Sequence, residues 1–311
     1  MIRNGQVPKK FRHTHMNLST SVRILFCLLL IGALSVHAQT APEPEDVSSS
    51  SILPFKFSRD ISKKGFFTKD AEWYFSLGFG KTFYANSDIS VKQSSLGYDF
   101  TVHDVKGHDE WGDVNVLMPD IVRVGRFIDD DKMWAVELGL DHVKYSSTLG
   151  QTATVSGTSP YTTNPVTLSS DKFSYMLHNG LNHLMVDLVY RRPITAAAVT
   201  DTSSLAFIGK VGAGIAYVHP YIDINGKSSD VGSKSLNNLI GFNSGWWRIV
   251  GVSTSVEAGF RYVISKPWYL ELTDKTIFTT MSNIPVSNGT ASQNLWSNEI
   301  LLSVGYTFDN K

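Results

Sequence analysis

The stretch of sequence that decides the fold runs from residue 251 to residue 280 and reads GVSTSVEAGFRYVISKPWYLELTDKTIFTT. Apolar and polar side chains alternate through both of its halves, as they do in a β-strand with two different faces. In the first half, one face carries Val256, Ala258, Phe260, Tyr262 and Ile264, and the other carries Glu257 and Arg261. Lys266-Pro267 interrupts the alternation. The stretch therefore predicts two antiparallel strands joined by a tight turn.

The same alternation recurs along the chain and predicts eight strands. They are 72–84, 119–128, 133–146, 172–192, 204–218, 251–265, 267–280 and 296–308. These segments exceed the roughly five or six residues that are usual in a soluble sandwich, and they suit a tilted strand that crosses a bilayer. An even number of strands is also expected of an outer-membrane barrel.

The connections between these strands alternate in length. The segments 129–132, 193–203 and 266–267 are short, whereas 85–118, 147–171, 219–250 and 281–295 are long and rich in Ser, Asn, Gly and Thr. Short turns at one end and long loops at the other are typical of outer-membrane barrels. We therefore predict an all-β fold, an eight-stranded antiparallel transmembrane β-barrel. A ten-stranded barrel is the alternative, if 96–105 crosses the membrane or 172–192 forms two strands.

The N-terminal part of the chain has the pattern of a secretory signal. Basic residues precede an apolar run that begins at Ile24 and ends in the small-residue pattern Val36-His37-Ala38, as a signal peptidase requires. The run is shorter than the ~20 apolar residues of a membrane-spanning helix. We expect 1–38 to be a cleaved signal peptide, 39–70 a disordered leader, and 71–311 the barrel.

Removal of the signal would change the composition of the mature chain. Residues 1–38 hold the only cysteine, Cys27, and five of the 28 basic residues, but none of the 28 acidic ones. The mature net charge is then 28 − 5 basic against 28 acidic residues, about −5. This balance excludes the basic profile of a nucleic-acid-binding protein. No cofactor is predicted.

The polar faces of the predicted strands carry ionisable residues that would point into the barrel. They are Arg123, Glu137, Asp141, Asp187, Arg191, Lys210, Glu257, Arg261, Glu271 and Lys275, five acids and five bases. The interior of an eight-stranded barrel is only wide enough to be filled by side chains, and a buried charge is costly unless it is paired. We therefore predict an ion-pair network across the lumen and no open pore.

The closing strand LLSVGYTF (301–308) and the strand pattern of about 72–308 resemble the small outer-membrane barrels of the OmpA-, OmpX- and OmpW-like superfamily and, distantly, the lipid A deacylases. The sequence departs from that pattern in the Asp309-Asn310-Lys311 that follows the terminal Phe. The resemblance implies the outer membrane of a Gram-negative bacterium, in contact with its lipid and lipopolysaccharide. It also implies assembly by periplasmic chaperones and the barrel-assembly machinery.

His142, His178 and Asn182, near the outer ends of two predicted strands, are candidate catalytic residues. A histidine at the outer leaflet could act as a general base on a lipid ester. In the deacylases that the chain resembles, a His is followed, after one residue, by Ser and Asn. His178 matches the His, but Gly180 and Leu181 stand where the Ser and Asn would be. The alternative interpretation is a set of polar residues in the membrane interface.

The first long loop contains a cluster of candidate metal ligands, His103, His108, Asp109 and Glu110. Imidazole and carboxylate groups in close order can bind a divalent cation. No recognised ligand spacing is present, so a solvated acidic loop is the alternative. The alternation over 96–105 predicts that this loop extends the sheet above the membrane as a β-flap.

These patterns favour a non-enzymatic function. We expect a structural or surface-interaction role for the barrel through the loops 85–118, 147–171 and 219–250, with an external ligand that the sequence does not identify. The first alternative is a hydrolase that modifies lipid A through the histidines. The second is a porin-like channel for small solutes, which requires a less filled lumen.

Overall fold

A computed structural model of the 311-residue chain describes residues 72–110, 119–194, 204–228 and 247–308. The expected signal peptide and leader lie outside the described residues. Within these ranges the structure consists of strands and turns, together with a single 3₁₀ turn at Ser94–Leu96. No helix in these ranges is long and apolar enough to cross a membrane.

Eight strands form a closed ring. They are β1 (Trp73–Tyr84), β2 (Ile121–Phe127), β3 (Trp134–Ser147), β4 (Phe173–Pro193), β5 (Ser204–Val218), β6 (Arg248–Ser265), β7 (Trp268–Val286) and β8 (Gly289–Phe308). Each strand pairs antiparallel with the next. Antiparallel pairing of β8 with β1, from Trp73↔Phe308 to Tyr84↔Ser297, closes the ring. A closed ring has no sheet edge, so its backbone hydrogen bonds are satisfied without water.

The predicted eight-stranded antiparallel barrel is confirmed, and the ten-stranded alternative is wrong. Residues 98–105 form a strand outside the ring, and β4 is continuous from Phe173 to Pro193. The prediction of a loop over 281–295 is also wrong, because β7 and β8 continue into this segment and leave only Ser287 and Asn288 between them.

Two local features explain the longer β7–β8 hairpin. Met281, Ile284 and Leu295 face inward and are buried, with a register shift between Met281 and Ile284. Asn288 at the turn has a φ of 59°, a left-handed conformation that Asn tolerates better than most residues. Asn288-Gly289 is therefore a hairpin signal, and the prediction of a long loop over 281–295 did not take it into account.

The outward faces of the barrel strands form an apolar belt. Its most exposed members are Leu77, Val124, Leu138, Leu140, Val186, Val211, Val252, Val256, Leu272, Ile300, Leu302 and Val304. Val256, for example, is 62% exposed. Soluble proteins rarely leave a continuous apolar band open to water, so the belt is the surface that contacts lipid.

On five of the eight strands, the two edges of the belt lie eight residues apart. At the end with the short turns, here called the turn end, the outward residues are aromatic: Trp73, Trp134, Tyr190, Trp268 and Tyr306. Eight positions toward the other end of the same strands stand Lys81, His142, Asn182, Thr276 and Asn298. Eight residues span ~26 Å of strand, or ~20 Å across a bilayer at the ~40° tilt of small barrels. The spacing therefore suits a thin bilayer with an aromatic interface.

Beyond the polar edge, the strand ends and loops fold into a unit that we call the outer head, comprising residues 84–110, 143–177, 216–228 and 281–295. The strands Ser87–Gln93, Tyr98–Val105 and Val155–Thr158 extend the sheet from β8. The head has an apolar core that includes Phe100, Val102, Tyr145, Phe173, Tyr175, Leu177 and Ile222. Inward residues of the barrel strands, such as Leu181 and Met281, belong to the same core, so the core is continuous with the barrel interior.

Two glycines make room for tyrosine rings inside the narrow barrel. A Cβ atom at Gly125 would lie 2.0 Å from Cζ of Tyr74, and one at Gly305 would lie 2.0 Å from Cζ of Tyr269. Both rings are almost fully buried. A side chain at either glycine would therefore have to displace a ring that is packed on all sides.

Substitution of Gly125 by Ala is expected to lower the free energy of unfolding by about 1–3 kcal/mol, the usual cost of overpacking. The matched control is Gly209→Ala on β5, where the nearest atom to a new Cβ, in Phe207, is at 3.4 Å. Urea unfolding of the folded protein in detergent measures both variants. Equal stability of the two variants would contradict the packing role of Gly125.

Candidate functional site

The interior of the barrel is layered from the turn end to the outer head. The inward residues of β7 show the general order of the layers, from Tyr269 through Glu271 and Lys275 to Thr279 and Met281, with Thr273 and Ile277 between them. An aromatic layer is followed by charged groups, then by hydroxyl groups, and finally by the apolar core of the head. The charged layer is the candidate functional site that the sequence predicted.

Lys210 on β5 is the centre of the charged layer. Its Nζ atom lies 3.1 Å from Oε1 of Glu137, 3.0 Å from Oε1 of Glu257 and 2.8 Å from Oε1 of Glu271. The residue is only 3% exposed. Since three carboxylates surround one ammonium group, further cations are needed to balance the layer.

Asp141 on β3 contacts two further cations, Arg123 and Lys275. Its carboxylate pairs with Arg123, and Oδ2 accepts a hydrogen bond from Nζ of Lys275 at 2.6 Å. Arg123 Nε also lies 3.4 Å from Glu137 Oε1. Glu137 thereby connects the Asp141 group to Lys210, and the pairs form one network.

Arg261 joins the charged layer to the aromatic layer below it. Its Nε donates a hydrogen bond to Oε2 of Glu271 at 2.8 Å. The guanidinium carbon lies 4.1 Å from the ring centroid of Tyr269 and 4.7 Å from that of Tyr74, which is cation–π geometry. Tyr74 in turn donates its hydroxyl hydrogen to Oε2 of Glu137 at 2.9 Å. One guanidinium is thus held by a carboxylate and by two rings.

The other two predicted lumen residues, Asp187 and Arg191, are buried in the interior but do not join the ion pairs described above. Asp187 Oδ1 accepts a hydrogen bond from Ser255 at 3.4 Å. Arg191 donates a hydrogen bond from Nε to the backbone oxygen of Lys132 at 2.9 Å. Its guanidinium carbon lies 4.2 Å from the ring centroid of Phe127. The structure therefore brings eight of the ten predicted residues into one network.

Glu299 on β8 is an interior carboxylate that the sequence reasoning missed. It lies opposite Lys275 in the β7–β8 register and is fully buried. Neither of its oxygens accepts a hydrogen bond from a described residue. The signal was present in the sequence, because Glu299 lies on the polar face opposite Ile300 and Leu302. With Glu299 the interior holds six acids and five bases.

Hydroxyl groups and then the head core close the interior on the outer side of the charges. His183 Nδ1 lies 2.9 Å from Oγ of Ser253, which is 3.1 Å from Oγ1 of Thr279. Above this row lie Leu181, Met281 and the rest of the head core. At the turn end there is a cavity of about 30 Å³, lined in part by Arg191, Arg261 and Lys266. It has room for about two water molecules.

On the outward face, the structure brings two of the three candidate catalytic residues together. His142 Nδ1 lies 2.6 Å from Oδ1 of Asn182, and Asn182 Nδ2 donates to the backbone oxygen of Tyr217 at 2.9 Å. The Asn oxygen can only accept, so a neutral His142 carries its proton on Nδ1 and keeps Nε2 as an acceptor. The side chain of His178 lies outside the described residues.

Gly180 provides the space for this contact. The β3–β4 register shifts between Leu177 and Leu181, as expected of a β-bulge. Gly180 has a φ of +125°, and a Cβ there would lie 2.7 Å from Nδ1 of His142. In the described residues, no Ser or Thr hydroxyl is hydrogen-bonded to His142.

The four candidate metal ligands contact different partners. His103 lies 2.9 Å from Oδ2 of Asp88 and 2.7 Å from Oγ of Ser156, and His108 is 3.2 Å from Oγ1 of Thr148. Asp109 pairs with Lys81 at 3.2 Å, and Glu110 accepts a hydrogen bond from Ser146 at 2.6 Å. Across the described ranges, no three His, Cys, Asp or Glu side chains converge on one point.

The His103 contact has a structural role in the head. His103 links the strand Tyr98–Val105 to its neighbours on both sides through Asp88 and Ser156. Hydrogen bonds from the Asp104 backbone N–H and from His103 lower the pKa of the Asp88 carboxyl from its usual value. The Asp88 contribution to stability is therefore present above the unfolded pKa of about 3.9 and is lost as the pH falls through the folded value.

The closed ring, the apolar belt and the aromatic edge identify the kind of protein. The chain is a transmembrane β-barrel. No protein-family model matches it, and no curated protein matches it.

Several solved structures, all of small outer-membrane barrels, are similar to the chain. Ail of Yersinia pestis, solved with the heparin analogue sucrose octasulfate, is 12% identical and has a TM-score of 0.30, with 77% of this chain and 99% of Ail covered. Neisserial surface protein A is 10% identical with a TM-score of 0.31, covering 76% and 97%. The outer-membrane protein AlkL is 13% identical with a TM-score of 0.31, covering 86% and 97%.

Two substitutions in the charged layer are expected to have opposite effects. Lys210→Met leaves three buried carboxylates without their shared cation and should lower the free energy of unfolding by about 3–5 kcal/mol. Glu299→Gln removes a buried charge that has no hydrogen-bond donor, and it should leave stability unchanged or raise it. Urea unfolding in detergent compares both variants with the exposed control Lys92→Met. A large loss of stability in Glu299→Gln would contradict the expected charge balance.

Proposed function

We propose that the protein is a non-enzymatic surface barrel that binds an external partner, or stabilises the envelope, through its outer head. The observation that carries this proposal is that the interior is filled with paired charges and closed on the outer side by an apolar core. Each of the eleven interior Asp, Glu, Lys and Arg residues named above is at most 5% exposed. The surfaces left for function are therefore the head and the lipid-facing wall.

The filled interior argues against the channel alternative. Solute passage needs water-accessible polar groups along the whole path. Here the charged layer is buried, and above it Leu181, Ala216 and Met281 belong to the apolar core. We therefore expect the folded protein to give no large, steady conductance in a planar bilayer. Steady conductance steps would contradict the proposal.

The head contains a long segment whose own side chains carry no charge, beside a strand that carries Asp99 and His103. Residues 145–170 contain no Asp, Glu, Lys, Arg or His. Exposed hydroxyl groups recur along the segment, at Thr152, Thr154, Ser156, Thr158, Thr162, Thr163, Thr167 and Ser170. Such a surface offers hydrogen bonds and no ion pairs. We infer that its partner is a neutral, hydroxyl- or amide-rich molecule, and that salt has little effect on the binding.

Glycan arrays of neutral and sulfated oligosaccharides test this inference with the folded protein in detergent. We expect binding to neutral glycans that changes less than about twofold between low and physiological salt, because no ion pair is screened. Thr158→Lys together with Thr163→Lys should weaken binding, and the matched Thr→Ser pair should retain it. Binding confined to sulfated glycans, or equal binding by both pairs of variants, would contradict the inference.

The hydrolase that modifies lipid A remains the second candidate, because of the contact between His142 and Asn182. Their hydrogen bond leaves Nε2 of His142 able to accept a proton at the height where the apolar belt ends. A general base must also reach a nucleophile or a water molecule. Since no described hydroxyl group is bound to His142, the nucleophile in this proposal would be water.

Incubation of the folded protein with lipid A, followed by mass spectrometry, tests the hydrolase. If the hydrolase proposal holds, the wild type removes an acyl chain, and His142→Ala lowers the rate by about 10²-fold or more, as expected for loss of a general base. Intact lipid A after incubation with the wild type would rule out this candidate.

We also propose, from the sequence, that a cleaved signal, periplasmic chaperones and the barrel-assembly machinery deliver the chain.

A further inference from the structure

The lipid-facing wall contains one acidic residue within the apolar belt. Asp274 faces outward on β7, six residues from Trp268 and two residues short of the polar edge at Thr276. Its Oδ1 atom accepts a hydrogen bond from Nδ2 of Asn298 at 2.5 Å. Among the described strands, Asp274 is the only acidic residue that faces outward between the two edges of the belt.

An acidic side chain facing lipid is unfavourable, and such residues usually mark a functional contact. A partner within the membrane would remove Asp274 from lipid and supply a cation or a further hydrogen-bond donor. The Asn298 amide is the hydrogen-bond partner that the chain itself supplies. The neighbouring strands indicate which partner fits.

The strand register places a cation in the same row as Asp274. Asp274 pairs with Ile300 on β8, and Ile300 pairs with Lys81 on β1. Neighbouring strands are ~4.8 Å apart, so Asp274 and Lys81 lie ~10 Å apart on the same face with Ile300 between them. The side chain of Lys81 is 38% exposed, and its ammonium contacts Asp109 through the carboxylate at 3.2 Å and the backbone oxygen at 3.3 Å. A contact with Asp274 of a second copy would therefore compete with the Asp109 pair.

This arrangement is complementary to itself. In a two-fold dimer whose axis is parallel to the membrane normal, the left side of one face meets the right side of the other. With the axis next to Ile300, Asp274 of each copy would face Lys81 of the other, and the two Ile300 side chains would meet. Lys81 lies ~5 Å closer to the outer head than Asp274, at two further residues along a tilted strand. The four-carbon stem of lysine spans that distance.

The residues around this row complete an interface that suits a membrane. On the turn-end side, Leu272, Leu302 and Phe79 form an apolar row in direct register. On the side of the head, Thr276 and Asn298 add hydrogen-bonding groups. We propose that the β7–β8–β1 wall is the interface of a homodimer, held by two reciprocal Asp274–Lys81 ion pairs around Ile300.

A single cysteine at the proposed axis tests the geometry directly. In the full chain with Cys27→Ser, Ile300→Cys should form a disulfide-linked dimer in lipid vesicles under mild oxidation. The matched control is Val186→Cys on β4, which is also lipid-facing and 55% exposed. We expect at least tenfold more cross-linked dimer for Ile300→Cys. Equal cross-linking of the two variants would overturn the proposal.

A charge reversal then tests the ion pairs in the Ile300→Cys background. Asp274→Lys alone and Lys81→Asp alone each place like charges opposite one another and should reduce cross-linking by about tenfold or more. The double variant restores opposite charges and should recover most of the cross-linking. Heat-dependent gel migration verifies that each variant is folded. Asp274→Asn is a second variant, which removes the charge and keeps nearly the same side-chain size. Unchanged cross-linking in the folded single variants, or no recovery in the double variant, would overturn the proposal.

Discussion

The narrowness of an eight-stranded barrel is the constraint on which the rest of this structure depends. The interior has room for side chains but not for bulk water, so its charged groups are stabilised mainly by one another, and eight of the eleven interior Asp, Glu, Lys and Arg residues form one network. Lys210 is surrounded by three carboxylates, and Arg261 is held between Glu271 and two tyrosine rings. Removal of one partner leaves a buried charge, which costs far more than the pair contributes. The interior is therefore a structural core made of ions.

That core determines where function can reside. A filled interior disfavours conduction, and it favours function at the two other surfaces, the outer head and the lipid-facing wall. The head is itself closed by an apolar core, in which Phe100 and Phe173 are buried as in a soluble domain. The packed head carries the loop 147–171 on its apolar core, and loops positioned by a packed scaffold are typical of recognition sites.

The wall carries two polar contacts that differ in their surroundings. His142 and Asn182 lie at the polar edge of the belt, at the same height as Lys81 and Asn298, so an interfacial location accounts for them without any chemistry. Asp274 lies below this edge, and location alone does not explain it. A carboxylate in lipid is expensive enough to require a contact, and the register supplies Lys81 as its counterpart in a second copy.

Much of this protein could be predicted from its sequence, because side chains along a barrel strand point alternately inward and outward, with a period of two residues. The alternation predicted the eight strands of the ring, although not the full length of β7 and β8, and it placed all ten predicted charges on inward faces, where they are buried. The same alternation places Glu299 on the inward face of β8 and Asp274 on the outward face of β7. Only the tertiary structure decided which charges meet, since pairs such as Asp141 and Lys275 are 134 residues apart and depend on the register of every strand between them. The alternation also predicted the strand over 96–105 as a flap above the membrane. The apolar core of the outer head and the contact of His142 with Asn182 appeared only in three dimensions, because the folding of distant loops and a bulge at Gly180 set them.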